Sequence, residues 1–162
     1  DKDTALLLRT WARIAEQRKE PWSGVMVGDG QMTEVVEAFT RKQGNVRRVP
    51  FVKKPEDLAD WYRAADLLIH PGRWETFGLV LLEAQACGCP VVGFRGGAMD
   101  EQAADLDSWA RNQGADGLAE AVARKTERLS ESARQQAADF VASRFSWDQT
   151  FRRQLEAYER RG

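Results

Sequence analysis

The sequence predicts an α/β domain built on a doubly wound, mainly parallel sheet flanked by helices. Three observations lead there. Short apolar runs alternate with amphipathic stretches of helical period along most of the chain. One of those runs, Asp66 to Ile69, ends on His70-Pro71, as a buried parallel strand would. The stretch from His70 to Gly93 reads as strand end, loop, helix, tight turn and strand, the unit from which parallel sheets are wound.

Each element has a local reason. Thr4 to Arg18 reads as a helix, with Leu7, Trp11, Ile14 and Ala15 at offsets of three and four. Pro21 and Trp22 turn the chain, and Ser23 to Val27 is the first strand. Gly28-Asp29-Gly30 opens a helix from Gln31 to Gln43. A lone Gly-x-Gly is weak evidence for a phosphate cradle, and a tight turn explains it better. Asn45 to Val52 is the next strand block. Glu56 to Ala65 follows Pro55 as a helix, with Leu58, Trp61 and Tyr62 turned inwards. Pro71 and Gly72 stop the strand before them. The next helix begins near Phe77 and ends at Gly88, since Pro90 forbids continuation. Val91 to Phe94 is a strand, and an irregular region follows Gly97. Trp109 to Arg111 reads as a short final strand. Helices then run from Gly117 to Leu129, from Ser130 to Arg144, and from Ser146-Trp147-Asp148 to about Arg160.

Composition narrows the function. The chain has 162 residues, 43% hydrophobic and 30% charged, enough for one domain with a real core. With 24 basic and 25 acidic residues there is no basic excess for nucleic acid, so an anionic ligand must be met locally. No apolar run reaches transmembrane length, and the first residues carry no apolar signal-peptide core. Cys87 and Cys89 cannot close a zinc site by themselves and suit a buried helix-to-strand turn in a reducing compartment. A cytoplasmic location is expected.

Between Phe77 and Cys89 the only polar side chains are Glu83 and Gln85. Two residues apart on a helix is roughly 200° of rotation, so they cannot share one solvent face. One of them is expected to point along the sheet edge into a cleft. Glu83 lies on the side of Thr76, Leu79 and Cys87, which leads back to the helix N-terminus. There Thr76, Phe77 and Gly78 would offer free N–H groups to an anion, and Gly78 would allow close approach. Glu75 stands just before. The pattern suits a diphosphate at the helix start with a carboxylate to either side, since carboxylates accept paired sugar hydroxyls well.

Glu75 and Glu83 stand in the frame Pro-x-x-x-Glu-x-Phe-Gly-Leu-x-x-x-Glu-Ala-x-Ala-x-Gly-x-Pro-Val-Val. This resembles the E-x7-E signature of retaining glycosyltransferases of family four, which have the GT-B fold. Gly96-Gly97-Ala-Met-Asp-Glu101 resembles the Gly-Gly-x-x-Glu that follows it. The resemblance covers nearly the whole chain and implies the Rossmann-like, C-terminal half of a GT-B fold. It implies that Glu83 holds the ribose of a nucleotide diphosphate sugar. It assigns Glu75, the one candidate for a catalytic role, to hydroxyls of the transferred sugar. The backbone of Phe77, Gly78 and Leu79 would meet the diphosphate. Leu58 and the backbone near Val52 and Lys53 would meet the nucleobase, while Gly96 and Gly97 allow either close approach to the sugar or merely a turn. Lys2 occupies the lysine of a Lys-Gly pair, with Asp3 for the glycine. No metal or other obligate cofactor is implied, and Asp105-Leu106-Asp107 has Asp-x-Asp spacing by chance.

The resemblance also implies that residues 1–162 are a donor-binding domain lacking its first strand and its N-terminal acceptor domain. Such a half should bind donor and turn nothing over, with any contact to the inner membrane face made by the missing domain. Rival assignments are a nucleotide-sugar epimerase or glycan phosphorylase of the same fold, or a non-catalytic nucleotide-sugar-binding module.

Plainer explanations exist for several residues. Glu83 could be a solvated helix residue and Glu75 a charge on the helix dipole, though the apolar surroundings and the motif favour ligand contact. His70, the sole histidine, ends a strand where open α/β sheets bind ligands, yet a structural role suits it better than catalysis. Glu101 reads as a helix-start residue, and Trp147 as a structural part of the last helix. Trp74 is either a lid or a packing residue, and Lys2 either a ligand or a frayed end.

Overall fold

The computed structural model describes residues 3–73, 75–96 and 100–160. Helix α1 (Thr4–Gln17) is capped by the Asp3 carboxylate, which accepts from the Leu6 amide at 3.1 Å. Its buried face is Leu6, Leu8, Trp11 and Ile14, with Leu7 half-buried beside them. Strand β1 (Gly24–Val27) runs parallel to β2 (Val46–Val49), pairing Gly24 with Val46 and Val27 with Val49. Helix α2 (Thr33–Gln43) crosses between them and packs on β2. Helix α3 (Pro55–Ala64) takes Pro55 as its first residue, where a missing N–H costs nothing. It leads to β3 (Leu68–Ile69), then α4 (Leu79–Ala86) and β4 (Val91–Val92), parallel to β3.

A single parallel bridge, Gly93 to Trp109, is all that forms of the expected strand 109–111. A 3-10 turn at Leu106–Ser108 precedes it. Helices α5 (Gly114–Thr126), α6 (Glu131–Phe145) and α7 (Trp147–Glu159) complete the chain. The Ser130 and Ser146 hydroxyls cap α6 and α7, accepting from Ala133 and Gln149. The strand ladders are shorter than the apolar runs that announced them. Among the described residues, no ladder joins the β1–β2 pair to the β3–β4 pair.

Two clusters fill the interior. The larger joins the inner face of α1 to Val36, Val46, Val92, Phe94, Leu118 and Val122, so α1 and α5 pack together over strand residues of both pairs. The smaller holds Leu81, Ala84, Cys89, Val91 and Trp109 beneath α4. Lys125, almost fully buried on α5, pairs with Asp105 and ties down the irregular segment before the 3-10 turn. Asp105 therefore has a structural partner.

Candidate functional site

The site grows from the carboxyl end of β3. His70 continues that strand, its amide donating to the Val92 carbonyl at 2.8 Å. Its side chain is 3% exposed. Its imidazole lies against Gly72, where an added Cβ would stand 2.7 Å from Cε1. That contact requires glycine after Pro71. From there the ring reaches Glu75, with Nε2 at 3.0 Å from Oε1. The two residues share a loop with Phe77 and Gly78.

Helix α4 starts at Leu79, two residues later than its composition suggests. Gly78 takes a left-handed backbone, φ 66°, which no α-helix contains. The helix start is thus displaced to Leu79, and among the described residues no side chain caps it. A Cβ on Gly78 would also clash with Gln102 Oε1. Gln102 comes from the irregular segment after Gly96 and is buried. Its side-chain amide donates to the Phe77 carbonyl. Phe77 and Leu79 themselves stay exposed, with the Phe77 ring meeting Phe145 of α6 edge-on at 6.4 Å.

Glu83 and Gln85 do part company, as the rotation between them requires. Gln85 goes inwards and is fully buried. It donates to the carbonyls of Leu81 at 2.9 Å and Gln102 at 2.6 Å, and accepts from the Ala104 amide at 2.9 Å. The core admits its amide because those main-chain groups need partners. Glu83 is exposed on the opposite side, where the Tyr62 hydroxyl of α3 donates to Oε2 at 3.3 Å. Burial, and then the Glu83 charge, push the Tyr62 phenol above its ordinary range.

Of the remaining candidates, Leu58 is half-buried on α3, which packs on α4. Val52 is half-buried and Lys53 exposed just ahead of α3. Lys2, Trp74 and Gly97 lie outside the described residues. Glu101 is exposed; its neighbour Asp100 closes the loop, accepting from the Gly96 amide at 3.1 Å. The Gly28-Asp29-Gly30 turn is held by Asp29, which accepts from Arg48 at 2.6 Å and the Phe51 amide at 2.9 Å. Hydrogen bonding to Glu37, together with Asp29, raises the Arg48 guanidinium pKa further.

Sequence reasoning missed Gln102 and the Tyr62 hydroxyl. Gln102 lies in a stretch without periodicity, and the helical pattern marks Tyr62 only as part of an apolar face. No three His, Cys, Asp or Glu side chains are grouped to hold a metal ion among the described residues. No described helix is long and apolar enough to cross a membrane.

Comparison with known proteins gives this arrangement a family. The profile of the "Glycosyl transferases group 1" family matches residues 1–130. A D-inositol 3-phosphate glycosyltransferase of Segniliparus rotundus is 38% identical over 97% of this chain, which spans 37% of that protein's length. Among solved structures, the Anabaena protein HepE in complex with UDP superposes with TM-score 0.77 at 21% identity, covering 98% of this chain and 45% of that one. The C-terminal domain of a group 1 family glycosyl transferase, LpcC of Francisella tularensis, superposes with TM-score 0.70 at 19% identity, covering 90% of this chain and 80% of that one. The chain belongs to the group 1 glycosyl transferase family and has the Rossmann-like α/β fold of its GT-B structures.

Proposed function

We propose that this chain is the donor-binding half of a retaining glycosyltransferase that moves a sugar from a nucleotide diphosphate sugar to an acceptor hydroxyl. The observation that carries the reading is the loop before α4, where His70 holds the Glu75 carboxylate four residues ahead of a helix start that no described side chain caps. Helix amides aimed at a leaving diphosphate stabilise the charge that grows there as the glycosidic bond breaks.

The backbone of Phe77, Gly78 and Leu79 would take the diphosphate, helped by Lys2, and Glu75 would orient the sugar through its hydroxyls, with Gly97 as a further sugar contact. Glu83 would hold the ribose. Val52, Lys53 and Leu58 would border the base. With helix and lysine carrying the charge compensation, no metal is needed, and the donor is a substrate rather than a cofactor. The UDP bound to HepE supports a uridine nucleotide among the candidate donors. The acceptor site would belong to another domain of the same protein, a reading supported by the chain's 37% share of its D-inositol 3-phosphate relative. We assign the protein to the cytoplasm.

The test is calorimetry of the chain against UDP-glucose, UDP-N-acetylglucosamine and GDP-mannose, each beside its free diphosphate. One nucleotide sugar should bind more tightly than its diphosphate, without steady release of nucleotide. Failure of every probe to bind would end the reading.

A further inference from the structure

Glu75 sits in a loop, four residues before α4 begins, and a loop carboxylate ordinarily samples several rotamers. Here one side chain restrains it. His70 is fixed at the end of β3 by the hydrogen bond its main-chain N–H donates to the Val92 carbonyl, and Gly72 lies against its ring. Its imidazole is too buried for a ligand at the loop surface, whereas the Glu75 side chain keeps 21% of its exposure. The two meet through Nε2 and Oε1 at 3.0 Å.

The chemistry of that contact is directional. An ionised carboxylate offers lone pairs only, so Nε2 must carry the hydrogen and donate it. The bond is charge-assisted, and one partner is locked in the core. It occupies Oε1 and leaves Oε2 for a ligand.

We propose that His70 is a positioning residue for sugar recognition: its Nε2–H fixes the Glu75 carboxylate so that the free oxygen meets a sugar hydroxyl without first being ordered. This rests on the reading of Glu75 as the sugar contact. Ordering the carboxylate in advance removes an entropic cost that binding would otherwise bear. His70 acts on the sugar and not on the nucleotide, because its bond ends at Glu75.

Two measurements on the whole chain test this. As the only histidine, His70 gives one set of ring signals in a nitrogen-detected NMR spectrum. The hydrogen should reside on Nε2, and a hydrogen on Nδ1 alone would overturn the proposal without any ligand. Calorimetry with UDP, UDP-glucose, GDP and GDP-mannose then gives the affinity added by the sugar. His70→Leu fills the space without a donor and should reduce that increment about tenfold, the scale of one charge-assisted hydrogen bond, with the free diphosphates unaffected. His70→Gln can present an amide N–H near the same point and should restore most of it. If the leucine variant does not fold, His70→Asn, whose amide stops short of Glu75, replaces it. An unchanged increment in the donor-free variant, or equal losses for sugar and diphosphate, would overturn the role of His70 while leaving the donor site intact. A wild-type chain that binds none of the four probes would instead overturn the donor reading and this proposal together.

Discussion

Gln85 Nε2 lies 2.6 Å from the main-chain carbonyl oxygen of Gln102, and both side chains are closed to solvent. This bond fastens α4 to the irregular segment behind it. The Gln102 side chain then holds the Phe77 carbonyl, so the loop before α4 is positioned from inside the fold.

Replacing Gln85 should therefore cost more than its helix position suggests. Gln85→Leu keeps the volume but leaves the Gln102 carbonyl and the Ala104 amide without partners. The expected loss is roughly 2–6 kcal/mol, one desolvation penalty for each group. Urea unfolding measures it, and a loss below about 1 kcal/mol would show that water or a shifted backbone repairs both.

Glu83 should behave in the opposite way. It is exposed, and a glutamine there still accepts from the Tyr62 hydroxyl. Glu83→Gln should lower nucleotide affinity about tenfold or more, since two ribose hydroxyls lose a charged acceptor, while the melting temperature barely moves. An unchanged Kd would remove the ribose assignment. A collapse in melting temperature would make Glu83 structural.

Gly78→Ala combines two penalties. The left-handed backbone alone costs a non-glycine residue about 1–2 kcal/mol, and the new methyl group meets Gln102 Oε1. Stability should fall by at least the backbone cost, and nucleotide diphosphate binding should weaken with it. A variant that binds UDP as the wild type does would show that the start of α4 is not the anion site.

Much of this was legible in the chain order. Alternating patterns gave the α/β class, and Pro55, Gly88 and Pro90 marked helix boundaries because their backbone constraints are local. The turn that places Glu83 and Gln85 on different sides was legible too, but not which one the core would accept. That depends on unpaired main-chain groups at 102 and 104, which no periodicity announces. The Phe77-to-Leu79 shift in helix start has the same origin, since Gly78 permits a left-handed turn and a distant glutamine stabilises it.

The two thiols should separate under labelling and in alkali. Cys89 is fully buried, and burial pushes its pKa from 9.0 up to about 12. The folded chain thus holds this proton more tightly than the unfolded chain. The resulting stability is complete below the unfolded value and is lost as pH rises from about 9 towards 12. Tyr62, shifted in the same direction, adds to the alkaline loss. Cys89→Ala should flatten the fall in stability across that window, and a thiol reagent at neutral pH should reach Cys89 only after unfolding. Rapid modification of Cys89 in the folded chain would contradict its burial.

The division of the interior into two clusters sets how the chain breathes. The helix that begins the site belongs to the smaller apolar cluster, whereas α1 and α5 share the larger one. Its amides should consequently exchange with deuterated solvent through a partial opening of their own, at a lower free energy than those of α1. A ligand bound at the start of α4 would slow that exchange locally, leaving the larger cluster's rates as an internal clock against which occupancy can be read.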